Sequence, residues 1–330
     1  MHSPRRVREL GVVVGTLPTG PLNAITDVPG VLVGQTTITG DGLNTGVTAI
    51  VPDGWADALP AAVAVGNGYG KLVGTTQLDE LGVIETPILL TGTLSTFRVA
   101  DALITWLLDR DPRATSLNPI VGETNDGYLS DIRRRPVTSA DVHTALDTAS
   151  SALPAEGCVG AGTGTTALGF KAGIGTASRS LRPAPGVGGV PGAVGVLVQA
   201  NFSGLLTVLG RPIPAPRIDA DGNSCMIVVA TDLPLDSRQL GRLARRAIFA
   251  MGRVGSDYAP GSGDYAIAFT TARAASYADR DLRAPFQAVT EATEEALLNS
   301  LTMATTTTGF RGRTARALPH HLITDALAGH

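Results

Sequence analysis

The chain has 330 residues, of which 43% are hydrophobic and 17% are charged, and its formal net charge at pH 7 is −3. This composition supports a large core and excludes a disordered chain, and the charge argues against nucleic acid or an anionic membrane surface as a partner. No apolar run approaches the ~18 residues of a membrane span, and the basic start Arg5-Arg6-Val7-Arg8 lacks the apolar segment of a secretory signal. We therefore expect a cytoplasmic protein with Cys158 and Cys225 as reduced core residues.

Strands and helices are predicted in a mixed order along the chain, from β-branched runs bounded by turn residues and from apolar residues at helical spacing. Strands are expected at residues 31–33, 45–51, 61–65, 87–90, 118–121, 193–199, 225–230 and 265–271. Helices are expected from after Lys71 to Leu81 and at 94–108, 139–152 (with Ser139 as N-cap), 236–254 and 284–304. The apolar side of the helix at 94–108 is expected to consist of Leu94, Phe97, Ala100, Leu103 and Leu107. Without an internal repeat or a long linker, this order predicts a single α/β or α+β domain with two sheets between helices.

Three segments are expected to lie outside these elements. Residues 182–191 and 211–223 are rich in Pro and Gly and are predicted to be loops. His320 and His321 are expected in a mobile surface tail rather than at a metal site.

A glycine-rich segment, Gly160-Ala-Gly-Thr-Gly-Thr-Thr-Ala167, contains the spacing Gly-x-Gly-x-x-Ala. A dinucleotide site would also need an acidic residue about 20 positions later. No Asp or Glu occurs between Gly157 and Ile218, so close backbone packing explains this segment better. Neither a phosphate-binding Gly-Lys-Ser/Thr loop nor a Gly-x-Ser-x-Gly elbow is present. No cofactor and no metal are expected.

Ser224 stands where the loop Asp221-Gly-Asn223 meets the apolar run Cys225–Ala230. Read alone, this position is the start of a buried strand. A second interpretation is self-cleavage, because a serine hydroxyl can attack the carbonyl that precedes it. Cleavage between Asn223 and Ser224 would give Ser224 a free α-amine with an ordinary pKa of about 7.7–8.0. That amine can act as the general base of an N-terminal nucleophile.

Several segments together resemble the L-aminopeptidase D-Ala-esterase/amidase family, which includes the β-peptidyl aminopeptidases. They occur in unchanged order between about Val7 and Phe310. Besides the Ser224 region, they are Gly20-Pro-Leu-Asn-Ala-Ile-Thr-Asp-Val-Pro-Gly30, Val121-Gly-Glu-Thr-Asn-Asp-Gly-Tyr-Leu129, Gly160-Ala-Gly-Thr-Gly164, Val196-Leu-Val-Gln-Ala-Asn201 and Gly261-Ser-Gly-Asp264. The resemblance implies a four-layer αββα sandwich and a tetramer or larger assembly. It also implies one autoprocessed hydrolase domain over residues 1–330, cut into an α chain of residues 1–223 and a β chain of residues 224–330.

The partner of the nucleophile is assigned through this resemblance. Ser262, 38 residues after Ser224, and Asp264 occupy the place of a supporting Ser-x-Glu pair. Asp264 departs from the Glu of the β-peptidyl members, which puts the geometry of the pair in doubt. By themselves these residues indicate a turn.

Oxyanion and amine contacts are expected from polar residues that follow two strands. Asn201 could donate a hydrogen bond to a tetrahedral oxyanion, with Tyr128 as a second donor; the alternative for Asn201 is a turn at a strand end. Glu123 and Asp126, expected on a loop, could bind the α-ammonium of a substrate, and which of them acts is left open. The alternative for both is a turn with solvated acids.

The expected function is an autoproteolytically activated N-terminal-serine aminopeptidase that acts on short peptides, amino-acid amides or esters. A rival with the same chemistry is an acyltransferase of the ornithine-acetyltransferase kind. A rival of another class is an unprocessed binding protein with the same fold.

Overall fold

A computed structural model describes residues 3–181, 191–216, 218 and 223–328. Most of the expected loop at 182–191 and residues 217 and 219–222 of the loop before Ser224 lie outside the described residues. The α-helices within them are α1 (Thr75–Glu80), α2 (Thr96–Leu108), α3 (Ser139–Asp147), α4 (Ser237–Arg253), α5 (Arg283–Thr302) and α6 (His320–Ala328).

The strands vary from two to ten residues in length. They are β1 (Val31–Gly40), β2 (Leu43–Pro52), β3 (Leu59–Gly68), β4 (Leu72–Val73), β5 (Val83–Ile84), β6 (Ile88–Gly92), β7 (Ile120–Thr124), β8 (Thr166–Ala167), β9 (Phe170–Lys171), β10 (Ile174–Leu181), β11 (Gly192–Asn201), β12 (Thr207–Val208), β13 (Arg211–Pro212), β14 (Asn223–Thr231), β15 (Ser262–Thr270), β16 (Thr307–Thr308) and β17 (Thr314–Ala315).

Two large sheets form the centre of the molecule. The first has the strand order β1-β2-β6-β7-β4, and the second has the order β10-β11-β14-β15-β3-β5. Helices α2 and α3 pack on the first sheet, and α4 and α5 pack on the second. The expected αββα sandwich is confirmed. Among the described residues, no helix combines the length and apolar character needed to cross a bilayer.

The layer between the sheets explains why their central strands are apolar on both faces. Leu90 and Ile120 from the first sheet belong to one buried cluster with Met226, Val228 and Ile267 from the second. The opposite face of the second sheet packs on α4 and α5 through a separate buried cluster. Strands covered on both sides read as continuous hydrophobic runs rather than alternating ones. Burial of each such side chain stabilises the fold by about 1.5–3 kcal/mol.

Several expectations about the helices and the tail are wrong in detail. The buried side of α2 excludes Leu94 and Phe97, which are 43% and 66% exposed, because Leu94 precedes α2 in a short 3₁₀ turn and Phe97 faces outward. The N-cap of α3 is Thr138, whose hydroxyl accepts from the backbone of Asp141 at 3.3 Å, and α3 ends at Asp147 rather than 152. His320 is buried at the start of α6, where its Nε2 lies 3.0 Å from the Thr302 carbonyl oxygen.

Candidate active site

Three neighbouring strands of the second sheet place polar residues side by side at their ends. In the antiparallel pair β11–β14, Asn201 lies opposite Ser224. In the parallel pair β14–β15, Asn223 lies opposite Ser262 and Ser224 opposite Gly263. Adjacent strands are ~4.8 Å apart, so the pairing register places residues from three distant parts of the chain side by side. Ser224 lies at the start of β14, as expected. Asn201 and Ser262 were expected after a strand and in a turn, but they are the last residue of β11 and the first of β15.

The nucleophile candidate Ser224 is buried, with 3% of its surface exposed. Its hydroxyl donates a hydrogen bond to the carbonyl oxygen of Asn223. This contact holds Oγ beside the carbonyl carbon that it would attack in self-cleavage.

The pair of Ser262 and Asp264 lies directly next to this nucleophile. The Ser262 hydroxyl donates to Oδ1 of Asp264 at 2.7 Å, so the shorter side chain does reach its serine. The other carboxylate oxygen accepts from Asn67 Nδ2 at 3.0 Å. Burial raises the pKa of Asp264, and hydrogen bonds from Ser262, Asn67 and the Cys225 backbone partly offset that rise. Because the Ser262 proton is engaged by Asp264, its oxygen can accept a proton or hydrogen bond from another group.

Asn201 is buried at the end of β11, and its side-chain oxygen accepts from the backbone N–H of Thr166 at 3.0 Å. This bond fixes the orientation of the amide and makes its nitrogen the end that can donate to other groups. An amide nitrogen beside a nucleophile is a suitable oxyanion donor.

Glu123 approaches the same strand ends from the first sheet. It lies within β7 rather than on a loop, because the parallel pairing with β6 continues to Thr91 opposite Glu123. Its Oε1 accepts from the Lys71 backbone at 2.9 Å and lies 3.4 Å from Lys71 Nζ. Its Oε2 is buried and has no hydrogen-bond partner among the described residues. That oxygen can accept a hydrogen bond from a ligand.

A glycine makes this approach possible. A Cβ atom on Gly70 would lie 3.3 Å from Glu123 Oε1 and 3.1 Å from the Cα of Gly263. Gly263 is the residue paired with Ser224. Gly70 therefore lies between the Glu123 carboxylate and Gly263 of β15, and a side chain at this position would crowd both.

Asp126 is also buried, with 1% of its surface exposed, so the alternative of a turn with solvated acids is wrong for both carboxylates. Burial raises the pKa of Asp126 to about 7, and the nearby charge of Glu123 adds to that effect. One of its oxygens, Oδ2, lacks a hydrogen-bond partner within the described part of the chain. At neutral pH this carboxyl group is divided between its neutral and ionised forms.

Tyr128 lies farther along the turn after β7. It lines a cavity of about 260 Å³ together with Phe310 and Arg313, and the Arg313 guanidinium lies 5.3 Å from its ring centroid. The residues that line this cavity do not include Ser224 or Asn201. The structure thus brings Asn201, Ser224, Ser262 and Asp264 together, with Glu123 next to them, whereas Tyr128 lines a neighbouring cavity on the turn after β7.

Sequence reasoning missed Asn67 and Lys71, which bind the carboxylates of Asp264 and Glu123. Both lie in the segment Gly66-Asn-Gly-Tyr-Gly-Lys71. Glycine at alternate positions in a strand end signals close backbone approach, and that signal could have singled out this segment.

The comparisons with known proteins agree with this arrangement. The profile of peptidase family S58 matches residues 23–315. This chain belongs to peptidase family S58. A β-peptidyl aminopeptidase, BapA, from Sphingosinicella microcystinivorans is 38% identical over 96% of this chain and 90% of its own length.

Two solved structures resemble nearly the full length of the chain. A β-aminopeptidase from a Burkholderia species superposes with a TM-score of 0.90 at 36% identity, covering 98% of each chain. The L-aminopeptidase D-Ala-esterase/amidase from Ochrobactrum anthropi, described as a variant of the Ntn-hydrolase fold, superposes with a TM-score of 0.87 at 36% identity and the same coverage. The family resemblance expected from the sequence is confirmed, and the chain is a serine aminopeptidase of the N-terminal-nucleophile type.

Proposed function

We propose that this S58 peptidase is activated by cleavage of its own chain between Asn223 and Ser224. The observation that carries the proposal is the contact of the Ser224 hydroxyl with the Asn223 carbonyl, next to the Ser262–Asp264 pair. Attack of Oγ on the carbonyl carbon breaks the peptide C–N bond, and the departing nitrogen takes up the hydroxyl proton. Water then hydrolyses the ester, which leaves residues 1–223 and 224–330 as separate chains.

In the cleaved enzyme, Ser224 attacks the carbonyl of a substrate and its own α-amine accepts the hydroxyl proton. Ser262, held by Asp264, orients the amine and hydroxyl of Ser224. Asn201 stabilises the tetrahedral oxyanion, and we keep Tyr128, on the turn after β7, as a second donor. The leaving group receives the proton, and water releases the acyl group from Ser224.

Substrates carry a free α-ammonium group, which we propose is bound by Glu123. Its buried Oε2 is available for a charge-assisted hydrogen bond. Such a contact explains cleavage from the amino end and favours short peptides, amino-acid amides or esters. Asp126 is the alternative amine binder, but with a pKa of about 7 it is only partly ionised at neutral pH.

Hydrolysis is separated from the rival functions by a panel of aminoacyl p-nitroanilides. A hydrolase releases p-nitroaniline in water alone, an ornithine-acetyltransferase-like enzyme needs an amine acceptor, and a binding protein releases none. Family membership favours the first outcome. Without acceptor, no release from any member of the panel by the cleaved protein would exclude the peptidase.

The mechanism needs neither a metal nor a thiol. In the described part of the chain, no group of three or more His, Cys, Asp or Glu could hold a metal ion. Both cysteines are free, Cys225 buried and Cys158 half-buried, so Cys158 is not the core residue that was expected. Activity should therefore survive EDTA and iodoacetamide; loss on chelation with recovery on added zinc would contradict a serine mechanism.

We also propose that the enzyme works in the cytoplasm as a homo-oligomer of cleaved units, a tetramer or larger. The described surface supports assembly through an apolar cavity of about 540 Å³ between β3 and α4. Val65 and Phe249 in its wall are 54% and 64% exposed. Light scattering after size exclusion measures the assembly, and a monomer of one cleaved unit would contradict it.

A further inference from the structure

The side chain of Asn223, on the other side of the scissile bond from Ser224, is held by a pair of residues that have no part in the site described above. Asn223 Nδ2 donates to the Ser203 hydroxyl oxygen at 3.0 Å. The Ser203 hydroxyl in turn donates to Asp257 Oδ1 at 2.7 Å. The direction of this chain is fixed, because Ser203 has a single proton and gives it to the carboxylate.

The loops that carry Ser203 and Asp257 are joined to each other by backbone hydrogen bonds. Asp257 N donates to the Ser203 carbonyl at 3.3 Å, and Leu205 N donates to the Gly255 carbonyl at 3.0 Å. The carboxylate is oriented further by the Ala259 backbone N–H at 3.2 Å from Oδ1. These supports follow directly from β11 and precede β15, so the pair is anchored to the same strands that carry Asn201 and Ser262.

Asn223 therefore has a fixed side chain next to a carbonyl that must face Ser224. Ser203, Asp257 and Asn223 line one wall of a cavity of about 460 Å³. Without this partner, the Asn223 side chain could turn into this space, and the first residue of β14 would lose an anchor that helps to hold its carbonyl in place. Near-attack geometry requires the reacting atoms to be held within about 3–3.5 Å of each other and correctly oriented.

We propose that Ser203 and Asp257 are positioning residues for self-cleavage: they hold the Asn223 side chain and thereby aim its carbonyl at the Ser224 hydroxyl. The inference rests on the proposed cleavage between Asn223 and Ser224. Neither residue touches the Ser224 hydroxyl or the carbonyl carbon, and the bonds that form and break remain those of the self-cleavage step. The pair acts on the precursor, in which Asn223 is still joined to Ser224.

The test is a time course of self-cleavage in the full chain made by cell-free synthesis. Synthesis is stopped after a short pulse, and the fraction of cleaved chain is followed on denaturing gels. The variants are Asn223→Ala, Ser203→Ala, the double variant and Ser203→Thr, which keeps the hydroxyl. Thr207→Val is the matched control, because that hydroxyl lies four residues after Ser203, at the start of β12, and bonds the Leu205 carbonyl instead.

Each alanine variant should lengthen the half-time of cleavage about 3- to 10-fold, the range expected for one neutral hydrogen bond. Because both changes remove the same bond, the double variant should be no slower than the slower single variant. Ser203→Thr should restore much of the wild-type rate, and Thr207→Val should leave it unchanged. A residue that only stabilised the fold would not show this coupling and rescue.

Wild-type half-times in both alanine variants, or a double-variant delay equal to the product of the two single delays, would overturn the inference while leaving self-cleavage intact. A wild-type chain that is never cut would overturn the proposed activation as well. Asp257→Ala is the independent variant should Ser203→Ala fail to fold. It should also slow cleavage, and a wild-type half-time would count against the pair.

Discussion

The nucleophile and the amine-binding region are positioned in different ways. Around Ser224, the register of three adjacent strands places Asn201 and Ser262 beside it, so these positions depend on the backbone ladder of the second sheet. Around Glu123, positions depend on buried side chains at the end of β7 and on the turn that follows it. The first region is preorganised for a developing negative charge. The second contains the buried carboxyl groups of Glu123 and Asp126, and burial raises the pKa of Asp126 to about 7. Backbone register thus positions the residues that carry out the chemical step, whereas the charge of buried carboxyl groups determines how the substrate amine is bound.

The largest effect of a single substitution on a cleaved enzyme is expected at the oxyanion contact. Asn201→Ala should lower kcat about 10²- to 10³-fold with little change in KM, because the contact strengthens only as charge develops. The measurement is steady-state kinetics on an aminoacyl p-nitroanilide, normalised to the fraction of cleaved chain. Near-wild-type kcat in the cleaved variant would remove Asn201 from the oxyanion site.

A smaller effect, confined to binding, is expected on the amine side. Glu123→Gln should raise KM and lower kcat/KM about 10- to 100-fold, the cost of losing a charge-assisted hydrogen bond. The control is an N-acetylated substrate, which has no ammonium group and should be a poor substrate for wild type and variant alike. If wild type cleaved acetylated and free-amine substrates equally well, no carboxylate would be binding the substrate amine.

The variant Tyr128→Phe tests whether a residue outside the three strands of the nucleophile region helps to stabilise the oxyanion. Loss of this second oxyanion donor should lower kcat about 3- to 10-fold, less than the loss of Asn201. Phenylalanine keeps the ring beneath the Arg313 guanidinium, so the cavity wall is preserved. An unchanged kcat would confine oxyanion stabilisation to the strand ends.

The smallest effect is expected from Asp126→Asn, which should change KM by less than about twofold at pH 7 if Glu123 binds the amine. The pH dependence of KM distinguishes Asp126 from Glu123 as the amine binder. With a pKa of about 7, Asp126 gains its negative charge as pH rises through neutrality. If Asp126 bound the ammonium, wild-type KM would fall as pH rises from 6 to 7, and the Asn variant would lose that slope. Equal slopes in wild type and variant support Glu123.

The sequence predicted the layered fold and most strands because apolar runs and turn residues determine them locally. It could not predict where strands end. Glu123 was placed on a loop because β7 was expected to stop at Val121, whereas pairing with β6 extends it to Thr124. Pairing across strands is a tertiary property, and a single strand's residues do not encode it.

The site shows the same division. The sequence was sufficient to name Ser224, Asn201, Ser262 and Asp264. Only the strand register shows that the first three lie side by side at the ends of adjacent strands. Burial of Asp126 and His320 was missed, since packing of distant segments determines it. Leu94 and Phe97 fit a helical spacing yet are exposed, because spacing alone does not show which side of a helix meets the core.

Self-cleavage at Ser224 is tested most directly by the intact mass of the purified protein under denaturing conditions. Wild type should give two chains of 223 and 107 residues, about 23 and about 11 kDa by length, and Ser224→Ala should give one chain of 33.8 kDa. The second chain should begin with serine. A mature, active wild-type preparation that shows only the full-length mass would contradict the account.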